Sequence, residues 1–196
     1  MSKKQIQSEE TKKKFAEAAK ILFAQKGYKG TSIEDIVKLA GGSKGNIYYH
    51  FTNKEGLFMY LLEEWDREFN SQWEEKANQY TTIEDTLYAL AEHLLDSNSN
   101  HPLTKAADEF FDDEWDNSEV KEMVDAYITN HIASIRKMLE KSMEHGELAK
   151  DDSHMLAIIL EAMFEGLSDI SKYSPEEPLT LYRKAIHTLL NGMRSR

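Results

Sequence analysis

The stretch from Thr31 to Phe51, TSIEDIVKLAGGSKGNIYYHF, restricts the fold of this chain more than any other part of its sequence. Two short helical patterns meet in it at Gly41-Gly42, where glycine can adopt the left-handed backbone conformation in which many helices end. The first helix has either Thr31 or Ser32 as its N-cap. The second starts after Ser43, which is another helix-capping residue type. The stretch therefore predicts two helices joined by a tight turn.

The second of these helices carries side chains that suit double-stranded DNA. Lys44 can donate to guanine O6 or N7, and Asn46 can pair with adenine N6 and N7 in the major groove. Donors for phosphate follow in Tyr48, Tyr49 and His50. Gly45 inside a helix costs about 1 kcal/mol relative to Ala. Two explanations for it are open: a close approach of DNA, or tight packing against another helix.

The charge distribution supports the same interpretation. The net charge is −11, which alone argues against a nucleic-acid partner. However, residues 1–60 hold 11 Lys and no Arg against 6 acidic residues, whereas the rest of the chain holds 13 basic against 29 acidic residues. A basic N-terminal part on an acidic body indicates that only the N-terminal part approaches a polyanion. Chance variation of charge between segments is the alternative.

Composition and periodicity favour helices along the whole chain. There are only 3 Pro and 9 Gly, and the absence of Cys excludes disulfides and Cys-based zinc sites. Apolar residues recur at three- and four-residue steps, without the alternation of strands. We predict an all-α fold of about nine helices, with a loop at 96–101 (DSNSNH). Besides the two helices above, the predicted ones cover 5–26, 54–78, 82–96, 102–112, 117–145, 153–172 and the residues after Pro178 to about 194.

Aromatic residues are frequent in the middle of the chain and predict a pocket for a small hydrophobic ligand between helices. The alternative is that they form ordinary core. Acidic residues beside them in the sequence would suit a lipophilic cation. The predicted lining residues are Trp65, Phe69, Trp73, Phe110, Phe111, Tyr127 and Met163.

The last two predicted helices carry apolar residues around too much of their circumference for surface helices. Two such helix pairs can associate as an isologous four-helix bundle, which predicts a homodimer. Its two DNA-binding parts would then lie about 34 Å apart or a little more, and would read a palindrome. The predicted interface residues are Ile158, Ile159, Ala162, Leu181, Ala185 and Leu189.

Two motifs in the sequence resemble features of enzymes, but neither leads us to predict an enzyme. The run from Gly41 to Gly45 matches the hydrolase G-x-S-x-G elbow, which needs a preceding strand where this chain has a helical pattern. The acidic stretch 108–116 could hold a hard cation, or it could be a solvated face over buried Phe111 and Trp115. A metal-dependent helical enzyme and a protein-only dimeric adaptor stay open as alternatives, but we expect no enzyme, no cofactor and no metal.

The segment 23–57 carries the pattern F-x-x-x-G-Y-x-x-T-S-I-x-x-I-x-x-x-A-G-x-S-K-G-x-I-Y-x-x-F-x-x-K-E-x-L. It resembles the N-terminal domain of TetR-family transcriptional repressors, and within that family a multidrug-binding branch. The resemblance implies a helix-turn-helix DNA-binding domain at 1–53 and a helical ligand-binding and dimerisation domain at 54–196. It also implies a homodimer that binds a palindromic operator and is released by a small hydrophobic inducer, which in that branch is cationic.

The resemblance and the chemistry of the helix together give a set of expected DNA contacts. They are Ser32, Ser43, Lys44, Gly45, Asn46, Tyr48, Tyr49, His50 and Lys54. In the body, the positions where the multidrug-binding branch has acids or Tyr carry other residues, which favours a different ligand. These positions are Trp65, Asn98, Ile132 and Ile135. With no apolar N-terminal signal and no apolar run long enough for a bilayer, the expected location is cytoplasmic.

Overall fold

The structure, a computed structural model, describes residues 2–193, except for the side chains of residues 99 and 100. Over this range the chain forms nine α-helices and one short 3-10 helix at Ser171–Tyr173, and no strand, which confirms the predicted all-α class. The helices are α1 Lys3–Lys26, α2 Ile33–Ala40, α3 Lys44–Phe51, α4 Lys54–Ala77, α5 Ile83–Asn100, α6 Thr104–Glu114, α7 Ser118–Glu144, α8 Ser153–Ile170 and α9 Pro178–Met193. None of these helices is long and apolar enough to cross a membrane.

Contacts between residues divide the chain into two compact units. The first unit contains the residues up to Asn70 together with Ser99–Val120, and the second contains Ser71–Asn98 and the residues from Lys121 onwards. The first unit therefore includes α6 and most of α4, up to Asn70, as well as the three N-terminal helices. The functional boundary between residues 53 and 54 stays a prediction.

An aromatic cluster holds the first unit together. The ring of Tyr28 lies 5.8 Å from that of Phe23, 5.1 Å from that of Phe58 and 5.0 Å from that of Phe110. All four residues are buried. Aromatic pairs of this kind stabilise by about 0.5–1.5 kcal/mol each beyond the area that they bury. The cluster fixes α1 and the turn after it against α4 and α6.

The region between α5 and α6 differs from the prediction. The residues DSNSN, predicted to be a loop, continue α5 to Asn100, and α6 runs over Thr104–Glu114 instead of 102–112. Polar residues of this kind are only weak helix breakers once an apolar stripe has established the helix. Pro102 ends it, because a residue that precedes proline is driven out of the helical conformation. Pro102 itself lies in the turn between the two helices.

The second unit has its core along α8 and α9. Leu160, Phe164, Tyr182 and Ile186 are buried there, and the Tyr182 hydroxyl donates to the carbonyl of Phe164 over 3.0 Å. Asp152 caps α8 by accepting the N–H groups of the second and third helical residues, both at 3.0 Å. The buried residues and the Tyr182 hydrogen bond hold α8 and α9 side by side, and the cap fixes the start of α8.

Candidate nucleic-acid interface

Local hydrogen bonds set the boundaries of α2. The Ser32 hydroxyl accepts from the N–H of Asp35 over 3.1 Å, whereas the Thr31 hydroxyl donates to the carbonyl of Gly27 over 2.8 Å. Of the two possible N-caps, Ser32 is therefore the one used. At the other end Gly41 has φ +63° and donates to the carbonyl of Val37 over 2.9 Å. This is the predicted left-handed helix exit.

The packing of α3 decides which of its side chains face outwards. Ile47 and Phe51 are buried, as their spacing indicates, and α3 packs against α1 and α2. Tyr48 and Tyr49 are exposed, and the ring of Tyr49 lies 4.8 Å from that of His50 in an edge-to-face arrangement. All nine predicted DNA contacts are exposed or half-buried, so that each has a surface open to a partner.

Lys44, the predicted guanine partner, has an internal partner in this structure. Its ammonium forms an ion pair with the carboxylate of Glu34 on α2. The ion pair raises the pKa of Lys44 and lowers that of Glu34. Glu34 was not among the predicted site residues, because ten positions separate it from Lys44 and only the turn between α2 and α3 brings them together.

Asn46, the predicted adenine partner, also makes an internal contact. Its side-chain oxygen accepts from the backbone N–H of Ser43 over 3.0 Å and from the Ser43 hydroxyl over 2.8 Å. This is the reciprocal half of a capping box. Pairing with adenine uses the same oxygen, so base recognition by Asn46 would compete with the cap of α3.

Gly45 is open to solvent. A Cβ atom built on Gly45 would have the Ser43 hydroxyl oxygen as its nearest neighbour, at 3.6 Å, which is ordinary van der Waals contact. Tight packing against another helix therefore does not explain the glycine. Of the two explanations open from the sequence, the close approach of DNA is the one that the structure permits.

Two lysines near α3 lie on aromatic rings. The ammonium of Lys54, which was predicted to bind phosphate, lies 4.0 Å from the centre of the Tyr28 ring, and burial lowers its pKa. Lys12 lies at the same distance from the ring of Tyr60. A phosphate contact by Lys54 would require its ammonium to leave Tyr28, so that this structure supports Lys54 least among the predicted contacts.

The acidic stretch on α6 has a use that sequence reasoning missed. Glu109 accepts the backbone N–H of Lys29 over 3.0 Å, and Asp113 pairs with the Lys29 ammonium at 2.9 Å. Gly27 has φ +77° and ψ 176°, and a Cβ there would lie 2.5 Å from Glu109 Oε2. The two carboxylates, one helical turn apart, thus hold the turn after α1. Their spacing was the only signal in the sequence.

Two other interpretations of the acidic stretch were a metal site and a solvated face over buried Phe111 and Trp115. No group of three or more metal-ligating side chains is present among the described residues. Trp115, which was expected to be buried under the stretch, is exposed, and Phe111 is half-buried. Trp115 is the first residue beyond the end of α6, and 54% of its surface is exposed.

One cavity of about 240 Å³ lies in the first unit. Its walls are Lys20, Leu61, Glu64, Trp65, Arg67, Glu68 and His101. The rings of Trp65 and His101 stack at 3.8 Å with an angle of 12° between their planes. Burial and the nearby Lys20 lower the pKa of His101 to about 4, and its Nδ1 accepts the N–H of Leu103 over 3.3 Å. The imidazole is therefore neutral at pH 7.

The predicted pocket residues divide between the two units. In the first unit Trp65 lines this cavity, Phe69 and Phe111 are half-buried, and Phe110 is fully buried within the aromatic cluster, where it serves as core. In the second unit Trp73 is buried with its ring stacked 5.9 Å from that of His93, whereas Tyr127 and Met163 are half-buried. The complete pocket stays a prediction.

The predicted dimer residues share a partly uncovered surface on α8 and α9. Ile158, Ile159 and Ala162 are exposed at helical spacing on α8. Their counterparts on α9 are half-buried: Leu181, Ala185 and Leu189. Met155, one turn before Ile158 and Ile159, is exposed as well and extends the surface.

Two sequence families cover nearly the whole chain. Residues 16–61 match the family described as bacterial regulatory proteins, tetR family, and residues 65–195 match the C-terminal region of QacR-like proteins. The chain therefore belongs to the TetR family, whose members are transcriptional regulators and not enzymes. This confirms the class predicted from the sequence, and neither the metal-dependent enzyme nor the protein-only adaptor finds support.

Individual relatives agree with this assignment. The HTH-type transcriptional regulator QacR of Staphylococcus aureus is 27% identical over 183 residues, 93% of this chain and 97% of that protein. The regulator TtgR of Pseudomonas putida is 40% identical over 57 residues, 29% of this chain and 27% of its own. A TetR-family regulator from Cytophaga hutchinsonii has the same fold, with a TM-score of 0.78 at 19% identity over 100% of this chain and 98% of that one.

Proposed function

We propose that this TetR-family regulator represses transcription by binding a palindromic operator as a homodimer. The α3 helices and the N-termini of α2 contact the DNA. A small hydrophobic inducer binds within residues 54–196 and releases the repressor. Release requires that the inducer bind the DNA-incompetent conformation more tightly than the competent one.

The outward face of α3 is the observation that carries the DNA contacts. Its apolar residues are buried, while Tyr48, Tyr49 and the residues from Ser43 to Gly45 are exposed. The N-terminus of α2 adds the positive end of a helix dipole, which attracts phosphate, and Ser32 is exposed beside it. These features support a helix that enters the major groove while its neighbour contacts the backbone.

The uncovered surface on α8 and α9 supports the homodimer. Exposed apolar residues on a protein surface commonly mark an interface, and here they lie on α8, which packs against α9. A second copy with the same patch completes a four-helix bundle. A homodimer also combines two basic N-terminal parts. We call each of them a head, and each has a formal charge of +5 over residues 1–60.

The cavity beside Trp65 supports a ligand of aromatic character, because it offers the stacked rings of Trp65 and His101. Glu64 and Glu68 would favour a positive charge on the ligand, whereas Lys20 and Arg67 would oppose it. The proposal is therefore limited to a small hydrophobic inducer without an assigned charge.

The test is a selection of DNA from a random library followed by binding measurements. We expect the chain to enrich a palindrome and to bind it more tightly than random DNA. Lys44→Ala and Tyr48→Phe should each weaken operator binding about 5- to 150-fold, as expected for losing a contact of about 1–3 kcal/mol. Lys150→Ala, an exposed lysine outside the head, is the control and should bind normally. Enrichment of no sequence at all would contradict the proposal.

A further inference from the structure

We propose that Glu34 limits the DNA affinity of the head by holding Lys44 in an ion pair that DNA phosphate must displace. The inference rests on the proposed function, since it concerns the same surface. It assigns Glu34 a role as a positioning residue that competes with the polyanion for one lysine.

The geometry of the turn produces this pair. Glu34 is the second residue of α2, and Lys44 is the first residue of α3. The turn between the two helices lets their N-terminal ends come close enough for these two side chains to meet. The two side chains contact each other although both remain largely exposed, with 64% and 52% of their areas accessible. The ammonium can therefore leave the carboxylate for another anion without any change in the backbone.

The pairing is selective within the head. The carboxylate of Asp35, the next residue, pairs with Lys26 at 3.1 Å and not with Lys44. Both members of the Glu34–Lys44 pair are charged at neutral pH, because each shifts the pKa of the other towards its charged form. The pair neutralises a lysine that stands at the start of the helix with the predicted base contacts.

The consequence for DNA follows from counterion release. Binding to DNA of any sequence strengthens with each phosphate that a lysine neutralises, and the slope of log K against log salt becomes steeper by about 0.9 for each such contact. A lysine held by a carboxylate contributes less to this sum. Exposed ion pairs are weak because water and salt screen them. DNA can therefore open the Glu34–Lys44 pair, but binding loses the free energy of that pair.

The experiment uses the full chain and a random-sequence 30-base-pair duplex, with binding followed by fluorescence anisotropy at several KCl concentrations. We expect Glu34→Gln to bind about two- to fivefold more tightly per head than the unaltered chain, which is the upper range for opening an exposed pair. Its salt slope should be steeper by about 0.9 per head. A gain in binding cannot arise from misfolding.

Two comparisons separate the pair from a general change of charge. Glu10→Gln removes the same charge from an exposed glutamate of α1 and should give a smaller gain with an unchanged slope. In a Lys44→Ala background, Glu34→Gln should give no more than the Glu10→Gln gain. Equal gains from Glu34→Gln and Glu10→Gln, or a Glu34→Gln excess that persists without Lys44, would overturn the inference.

The outcome can be distinguished from a failure of the proposed function. If the selection finds no preferred sequence, the proposed repressor function fails and the inference fails with it. If the unaltered chain prefers a palindrome but Glu34→Gln behaves like Glu10→Gln, only the role of Glu34 is overturned.

Discussion

At the scale of single residues, two side chains of α3 that are predicted to read bases already make contacts inside the helix-turn-helix. Lys44 is paired with Glu34, and the side-chain oxygen of Asn46 caps α3 through Ser43. Both contacts are polar and exposed, so that a nucleic acid can replace each with a contact of similar chemistry. The proposed recognition of DNA by α3 would thus require an exchange of partners and no change of fold.

A substitution at Gly45 should raise the stability of the protein and at the same time lower its affinity for the operator. Because a Cβ there meets nothing closer than 3.6 Å, Gly45→Ala should raise the free energy of unfolding by up to about 1 kcal/mol. The added methyl group should at the same time weaken operator binding, since it would lie where the DNA approaches. Denaturant unfolding and anisotropy on the same sample measure both effects. A destabilised variant would favour the packing explanation instead.

His101 makes stability depend on pH. Its pKa is about 4 in the folded protein and 6.5 without the protein environment. Between these values the unfolded state binds more protons, so that stability falls as the pH drops from about 7 to 4. His101→Phe keeps a ring against Trp65 but cannot take up the proton. Its melting temperature should therefore fall less than that of the unaltered chain over this pH range, as measured by thermal melts followed by circular dichroism. If the melting temperatures of His101→Phe and of the unaltered chain fell equally with pH, His101 would not be the source of the pH dependence.

At the scale of helices, α6 and α8 show two different uses of residues at helical spacing. Glu109 and Asp113 on α6 hold the turn after α1. On α8 the same four-residue spacing leaves Met155 and Ile159 exposed. Exposed apolar residues at helical spacing commonly mark an interface, which is why we propose that α8 and α9 form the contact between two copies.

Ile158→Glu tests that contact. A carboxylate placed in an apolar interface loses its hydration without gaining a partner, so that we expect a monomer at micromolar concentration, and with it a large loss of operator affinity. Sedimentation analysis measures the oligomeric state. The control is Ile6→Glu on α1, because Ile6 is 46% exposed and Ile158 is 44% exposed. The idea would be abandoned if both variants kept the oligomeric state of the unaltered chain.

At the scale of the whole molecule, the charge separation matches the proposed division of labour. The basic residues 1–60 contain the whole predicted DNA surface, and the acidic remainder contains the predicted dimer residues and all of the predicted pocket residues. An acidic body repels the DNA backbone, and only the heads are attracted to it. A homodimer with two such heads favours half-sites about one helical turn apart.

The ends of most helices and the helix-turn-helix could be predicted because the sequence features that determine them, caps and apolar stripes, are local. Ser32, Gly41 and Ser43 act through hydrogen bonds to residues within a few positions, and an apolar stripe shows which face is buried whatever it packs against. The prediction failed at 96–101, where the balance between weak helix breakers and Pro102 depends on how far an established helix extends.

The sequence by itself determined the all-α class, the helix-turn-helix, the family and the charge separation, since periodicity, caps and composition are properties of neighbouring residues. Only the tertiary structure decided that Glu34 holds Lys44, that Glu109 and Asp113 hold the turn at Lys29, and that Phe110 is core while Trp115 is exposed. These contacts join residues 10 to 84 positions apart in some cases, or depend on whether another helix covers a ring. Spacing along the chain can place Glu109 and Asp113 on one helix face, but it does not identify what that face contacts, because the packing of the helices decides it.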